Sequence, residues 1–184
     1  MTDGLTLEQR LAKLEAKDAI RELVARYGVA IDDRDLDGIA ALFTRDGAFR
    51  SKDGILNAIG RDAVMDQFRA RFAALGPTNH FTHEHIITLD ETDGAKATGL
   101  VTSHAEVWRD GIAMIAALRY QDLYQVEGGR WRFADRRLSF LYYMPVTEYP
   151  DGFGDRLRQR AYGDRRPADY PEALLSWKRV HGDS

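Results

Sequence analysis

The stretch from Lys96 to Tyr143, KATGLVTSHAEVWRD-GIAMIAALRYQDLYQVEG-GRWRFADRRLSFLYY, decides the fold. Apolar and polar residues alternate along it, the period of a strand with one buried face. The pairs Asp110-Gly111 and Gly128-Gly129 interrupt it. Two-residue turns of that composition reverse a strand onto its neighbour. The pattern predicts antiparallel strands over Lys96–Arg109, Ile112–Val126 and Arg130–Tyr143. Upstream, Asp93-Gly94 sets off one more run, His80–Leu89, so four long strands form a meander.

Before the strands the period is helical. Leu7, Leu11 and Leu14, then Ile20, Leu23, Val24 and Tyr27, follow the spacing of one helix face, and the pattern runs on to Ile31. Thr6 with Gln9 forms a capping box at its start. Asp32-Asp33-Arg34-Asp35 ends or kinks the helix; a short helix follows from Leu36 to Phe43, then a short strand over Ala48–Ser51. Gly60-Arg61-Asp62 opens a third helix, which Gly76-Pro77 stops. Helices followed by a long, strongly curved antiparallel sheet make an α+β domain. A bent sheet wrapped around helices forms a cone whose interior is a natural small-ligand site. The domain spans residues 1–144. Residues 145–184 hold four of the five prolines and read as an extension covering the domain or a subunit interface, with a short helix near Pro171–Val180.

Composition narrows the function. With 26 basic and 29 acidic residues the net charge is −3, so no electrostatic case exists for nucleic-acid binding. Cysteine is absent, which excludes thiolate nucleophiles and Cys-ligated zinc. No apolar run is long enough for a membrane span and no signal peptide is visible, so a cytoplasmic location is expected.

Four of the five histidines, His80, His83, His85 and His104, fall on or beside the strands. Imidazole suits proton transfer near neutral pH, although a core histidine bonded to a carbonyl is the plainer reading of each. Strand alternation puts His83 and His85 on one face and His80 on the other, and points His104 toward a polar feature of the interior. His83-Glu84-His85 looks like the start of a cupin metal motif, but the acidic residue that should follow is misplaced. No metal is expected. Asp32, at the end of an apolar helix face, opposes the helix dipole and needs a compensating partner; an inward imidazole would serve. Arg136 and Arg137 are strand neighbours, so one points in and one out, and the inward one needs an anion, protein or substrate.

These residues, taken in order, resemble a family. Tyr27-Gly-Val-Ala-Ile-Asp32-Asp-Arg-Asp35-Leu-Asp-Gly-Ile-Ala-Ala-Leu-Phe43 is similar to the opening of SnoaL-like proteins of the NTF2-like superfamily. So are Gly60-Arg61-Asp62-Ala63-Val64, Thr78-Asn-His80, and Tyr120-Gln-Asp122 followed by Gly129-Arg-Trp131-Arg-Phe-Ala-Asp-Arg136. The likeness covers about residues 7 to 143 and implies the α+β cone. Its branch with scytalone dehydratase, hexachlorocyclohexane dehydrochlorinase and bile acid 7α-dehydratase pairs an Asp at the end of the first helix with a strand His. Asp32 and His80 match those positions. Arg136 matches the dehydrochlorinase arginine and His104 falls near a second histidine of scytalone dehydratase. Tyr27 stands where the dehydrochlorinase has Lys, which brings the site nearer the dehydratases.

The resemblance implies a cofactor-independent lyase or isomerase acting on a small, cyclic, mostly apolar substrate. His80 is the expected general base and Asp32 its orienting partner. Arg136 is expected to stabilise developing negative charge. Tyr27, Tyr120 or His104 would protonate a leaving hydroxyl, and Met65, Phe68, Met114, Leu118 and Phe140 would form the apolar wall. The alternative is a non-catalytic ligand-binding or assembly subunit, such as the β subunit of a ring-hydroxylating dioxygenase. A broad outer sheet face and an aromatic, arginine-rich tail also suggest a homodimer or homotrimer.

Overall fold

The computed structural model describes residues 4–182. Helix α1 runs Leu7–Asp32, and the Thr6 hydroxyl and the Gln9 side chain close the expected capping box. Only its second half is buried, from Ile20 to Ile31; Leu7, Leu11 and Leu14 are exposed despite their helical spacing. Helix α2 covers Leu36–Leu42, with Asp35 accepting from the Gly38 amide at its cap, and α3 covers Arg61–Ala74. Strands β1 (Phe43–Ser51) and β2 (Asn57–Ile59) lie between α2 and α3. Strands β3 (Leu75–Leu89), β4 (Lys96–Arg109), β5 (Ile112–Glu127) and β6 (Arg130–Pro145) follow. Gly76-Pro77, expected as a helix stop, is already strand.

The six strands form one curved, unclosed sheet in the order β2-β1-β6-β5-β4-β3. The meander pairs antiparallel as predicted, whereas β1 runs parallel to β6, with Phe49 opposite Arg136, so the sheet is mixed. The β4–β5 and β5–β6 hairpins close through residues of positive φ: Asp110 at 50° with Gly111 at 79°, and Gly128 at 61° with Gly129 at 73°. Those turns match the right-handed twist of the strands they join. Burial alternates along β4 and β5, with Val101, Ser103, Ala105 and Val107 paired to Tyr120, Leu118, Ala116 and Met114 across the inner surface. The second half of α1 and the apolar face of α3, Val64, Met65 and Phe68, fill the concave side.

The inner half of β6 is paired by β1 only as far as Leu138. Beyond it the C-terminal segment takes over the free edge. The Tyr143 amide donates to Arg158 O at 3.0 Å, and the Arg160 amide to Tyr143 O at 2.8 Å. Asp169 accepts from the Phe140 amide at 2.7 Å. Buried Arg158 forks onto Glu172 at 2.7 and 2.9 Å and donates to Leu141 O, so the segment is fixed by charge as well as by backbone pairing. The terminal helix α5 spans Leu175–His181. No helix of the described residues is long and apolar enough to cross a membrane.

Candidate active site

Asp32 is the last residue of α1, and His80 lies six residues into β3. The hydrogen bond between His80 Nδ1 and Asp32 Oδ1 is 2.6 Å long. The other carboxylate oxygen accepts the His80 backbone amide at 2.8 Å, and the Thr78 hydroxyl donates to Oδ1 at 2.7 Å. Arg34 locks the corner. At a φ of 61° its side chain turns back and donates to Ile31 O at 2.6 Å, to Thr78 Oγ1 at 2.9 Å and to Gly76 O. Burial raises the Asp32 pKa, but the bonds from His80 and Thr78 outweigh it and hold the carboxyl below its ordinary value. An ionised Asp32 can only accept, so the neutral ring carries its proton on Nδ1 and leaves the Nε2 lone pair free.

His80 lines a cavity of about 40 Å³ inside the cone, with Tyr27, Phe68, Leu118, Tyr120 and Phe140 among its walls. Those five match the expected lining. Met65 and Met114 are buried in the core and line neither this cavity nor the one beside it. The inner cavity holds a few waters at most. A neighbouring chamber of about 320 Å³ lies outside it, between α3, the end of β4 and the C-terminal residues Ala161 and Tyr162. Arg71, Leu75, Phe140 and Tyr143 line both, so the partition between the two is made of side chains.

Arg136 points inward and Arg137 outward, but Arg136 does not reach the cavity. Its Nη1 donates to Asp122 Oδ2 at 3.0 Å, with both side chains essentially inaccessible. Its guanidinium stacks 3.7 Å from the Tyr120 ring centre, 4.2 Å from Tyr27 and 4.4 Å from Phe133. The expected substrate-facing cation is therefore one layer back, already paired and screened from the cavity by the two tyrosines. Burial raises the pKa of both tyrosines, with the Arg136 charge opposing it, so each phenol remains an O–H donor at neutral pH. Asp122 also accepts from Tyr124 at 2.8 Å, and the Tyr124 hydroxyl meets His85 Nε2 at 3.0 Å.

His104 is not an interior residue. It is exposed on the outer face, 2.7 Å from His83 through their ring nitrogens. The physical reason is its even position among inward Val101, Ser103, Ala105 and Val107. Nor do His83 and His85 share a face. A bulge between Thr82 and His85 adds one residue to β3, so His80 and His85 face inward while His83 faces out. That parity divides His83, His85 and His104 between two faces. Among the described residues no group of three or more His, Cys, Asp or Glu side chains could hold a metal ion. Thr78, Arg34, Asp122 and Tyr124 were not anticipated. Thr78 and Asp122 carried a signal, since each lies two residues from an inward group, His80 and Tyr120.

No curated protein matches this sequence. Among solved structures, a candidate scytalone dehydratase of Novosphingobium aromaticivorans superposes with a TM-score of 0.67 at 21% identity, over 73% of this chain and 90% of its own. A type 2 hexachlorocyclohexane dehydrochlorinase gives 0.66 at 18% identity, over 74% and 93%. A candidate aromatic ring hydroxylase of Novosphingobium aromaticivorans gives 0.66 at 22% identity, over 73% and 96%. At these identities the likeness is one of fold. The family model for the SnoaL-like domain matches residues 12–137, more than half of the chain. With its curved sheet wrapped around α1 and α3, the chain belongs to the SnoaL-like family of the NTF2-like superfamily.

Proposed function

We propose that the protein is a cofactor-independent lyase, dehydratase-like, acting on a small cyclic substrate. The observation that carries this reading is the 2.6 Å contact between Asp32 and His80 at the wall of the inner cavity. His80 Nε2 takes a proton from a ring carbon beside an electron-withdrawing group. The electron pair forms the new double bond as hydroxide leaves from the adjacent carbon. The departing oxygen takes a proton from the imidazolium or from the Tyr27 or Tyr120 phenol, so water is the second product. If a phenol is the donor, the His80 proton returns to it and restores the starting state. Asp32 fixes the tautomer and stabilises the imidazolium, help that is typically worth a factor of about 10² to 10⁴. Arg136 is a positioning residue in this scheme: it holds both phenols and makes them more acidic than burial alone would. The paired, inward dyad has no use in a purely structural subunit, which disfavours that reading.

The test uses a panel of cyclic β-hydroxy ketones and β-hydroxy acids, followed by proton NMR in D₂O. Elimination, or deuterium uptake at the carbon beside the carbonyl, is expected with the natural sequence. D32N and H80Q should remain folded at the assay temperature and lose at least 10²-fold in rate. Full activity in both would overturn the mechanism.

We also propose a homodimer or homotrimer. Leu7, Leu11 and Leu14 form an exposed apolar stripe on α1, and Phe81, Ile86 and Trp108 are exposed on the sheet. Light scattering that gives a particle of 20.9 kDa at micromolar concentration would refute this.

A further inference from the structure

Gln67 and Arg71 sit one turn apart on α3 and both line the outer chamber. Residues four apart on a helix share a face. The Gln67 Nε2 group is out of solvent reach and has no hydrogen-bond acceptor. Arg71 has no acidic partner among the described residues; its guanidinium lies 5.9 Å from the centre of the Phe49 ring, a contact that leaves its N–H groups available. The other cations nearby are engaged. Arg109, across the chamber, donates to Ala161 O, and Arg136 behind the inner cavity holds Asp122. Among the described residues no Asp or Glu lines either chamber. Tyr143 adds a phenol that burial keeps protonated, whereas the Tyr162 hydroxyl is committed to Asp53 at 3.4 Å. The chamber thus offers the Gln67 amide, the Tyr143 phenol and the Arg71 charge, with no carboxylate in its lining to pair with Arg71. Buried donors in native proteins are nearly always satisfied, so an unpaired one beside a free guanidinium marks the place of an acceptor.

We infer that the outer chamber binds a carboxylate, with Arg71 as its ion-pair partner and Gln67 Nε2 as a second donor, so that the substrate is a cyclic carboxylic acid. This rests on the lyase reading for the fate of the ring. Arg71 lines both chambers, so a carboxylate held there leaves the ring to enter between Leu75 and Phe140 toward His80. One unpaired guanidinium balances one negative charge, and its planar fork matches a carboxylate in two parallel hydrogen bonds. A phosphate dianion would leave a charge over.

The experiment is calorimetric titration and thermal shift of the full chain. The probes are benzoate and cyclohexanecarboxylate against the neutral isosteres benzyl alcohol and cyclohexylmethanol, with phenylphosphonate as a third class. The carboxylates should bind at least tenfold more tightly than the alcohols and than the phosphonate. R71M and Q67L should each weaken benzoate, R71M by tenfold or more, and R71K should recover part of the loss. D32N should bind benzoate as the natural sequence does, since the dyad lies beyond the partition. Alcohols binding as well as acids, phenylphosphonate binding as tightly as benzoate, no carboxylate binding at all, or a folded R71M with unchanged benzoate affinity would each overturn the inference. If R71M does not fold, R71K, Q67L and the acid-to-alcohol ratio still decide it. Loss of the lyase reading would instead show as D32N and H80Q retaining turnover, with carboxylate binding intact.

Discussion

Replacing Arg136 with Leu removes one half of an ion pair that is 1% and 0% exposed and leaves Asp122 charged inside the cone. Removing one partner of a buried pair costs about 3–5 kcal/mol. For a chain of this length each kcal/mol lowers the melting temperature by roughly 2–4 °C, so R136L should melt about 6–20 °C lower at pH 7.5. The deficit depends on pH in a direction that can be worked out. Burial pushes the Asp122 carboxyl up to about 6, against the pull of Arg136. An unfolded aspartate titrates near ~3.9, so the folded chain takes up this proton more readily. Stability from this group therefore falls as pH rises from about 4 to about 6 and stays lost above that. Without Arg136 the folded value climbs further, and the loss deepens at pH 7.5 but not at pH 5, where the carboxyl is protonated in either protein. The R136L deficit should accordingly shrink on acidification. The double variant R136L/D122L should recover most of it, because a buried pair exchanged for apolar groups is often neutral or stabilising. Circular dichroism melts of the three proteins at both pH values are the assay. An R136L protein that melts within about 2 °C of the natural one at pH 7.5, or a larger deficit at pH 5, would refute the reasoning.

Three further outcomes are expected. His85 is held down to about 4 by burial, with the Arg136 and Arg21 charges adding to it, so its ring-proton NMR shift should stay flat from pH 8 to 5; the stability from keeping it neutral is complete above about 6.5 and lost as pH falls toward 4. Asp32 has a lowered pKa, so its stabilisation is present above about pH 4 and lost as pH falls through its folded value; the melting curves of D32N and the natural protein should converge in acid. A Cβ at Gly99 would lie 2.6 Å from the Tyr124 ring, which is buried and tied to Asp122 and His85, so G99A should destabilise by about 1–3 kcal/mol, read by urea unfolding.

The elements legible in the sequence were those set by period and turn chemistry. Asp110-Gly111 and Gly128-Gly129 marked the β4–β5 and β5–β6 hairpins, and Thr6 with Gln9 marked the start of α1. The meeting of Asp32 with His80 was legible through the family resemblance: the helix end marked Asp32 as needing an inward imidazole, but local features did not single out His80, which lies six residues into β3. Three things were not. Leu7, Leu11 and Leu14 have a buried helix face's spacing, but nothing among the described residues covers them. The parallel pairing of β1 with β6 joins residues 87 to 90 positions apart, from Ser51 with Leu138 to Phe43 with Phe133, and leaves no local trace. The partner of Arg136 lay in plain view: Asp122 is inward by the same alternation that places Tyr120 and Tyr124, yet a charged residue between aromatics reads as solvent-facing until its counter-ion is known. His104 was misplaced for a simpler reason, since alternation along β4 sets it opposite Ala105.

The extra residue between Thr82 and His85 has a consequence for how this strand can change over generations. It is one of two register shifts in β3, the other lying between Leu75 and Thr78, and parity reverses across it: the segment before it presents His80 to the interior and the segment after it presents His85. A substitution within either segment alters one side chain. Deletion of a single residue from the bulge is a different event: with the hairpin end of the strand held by its partner, every side chain from Leu75 to the bulge turns over together. His80 would leave the cone and Phe81 would enter it. Reversal of this whole face is thus one codon away by deletion or insertion, where a substitution changes a single side chain.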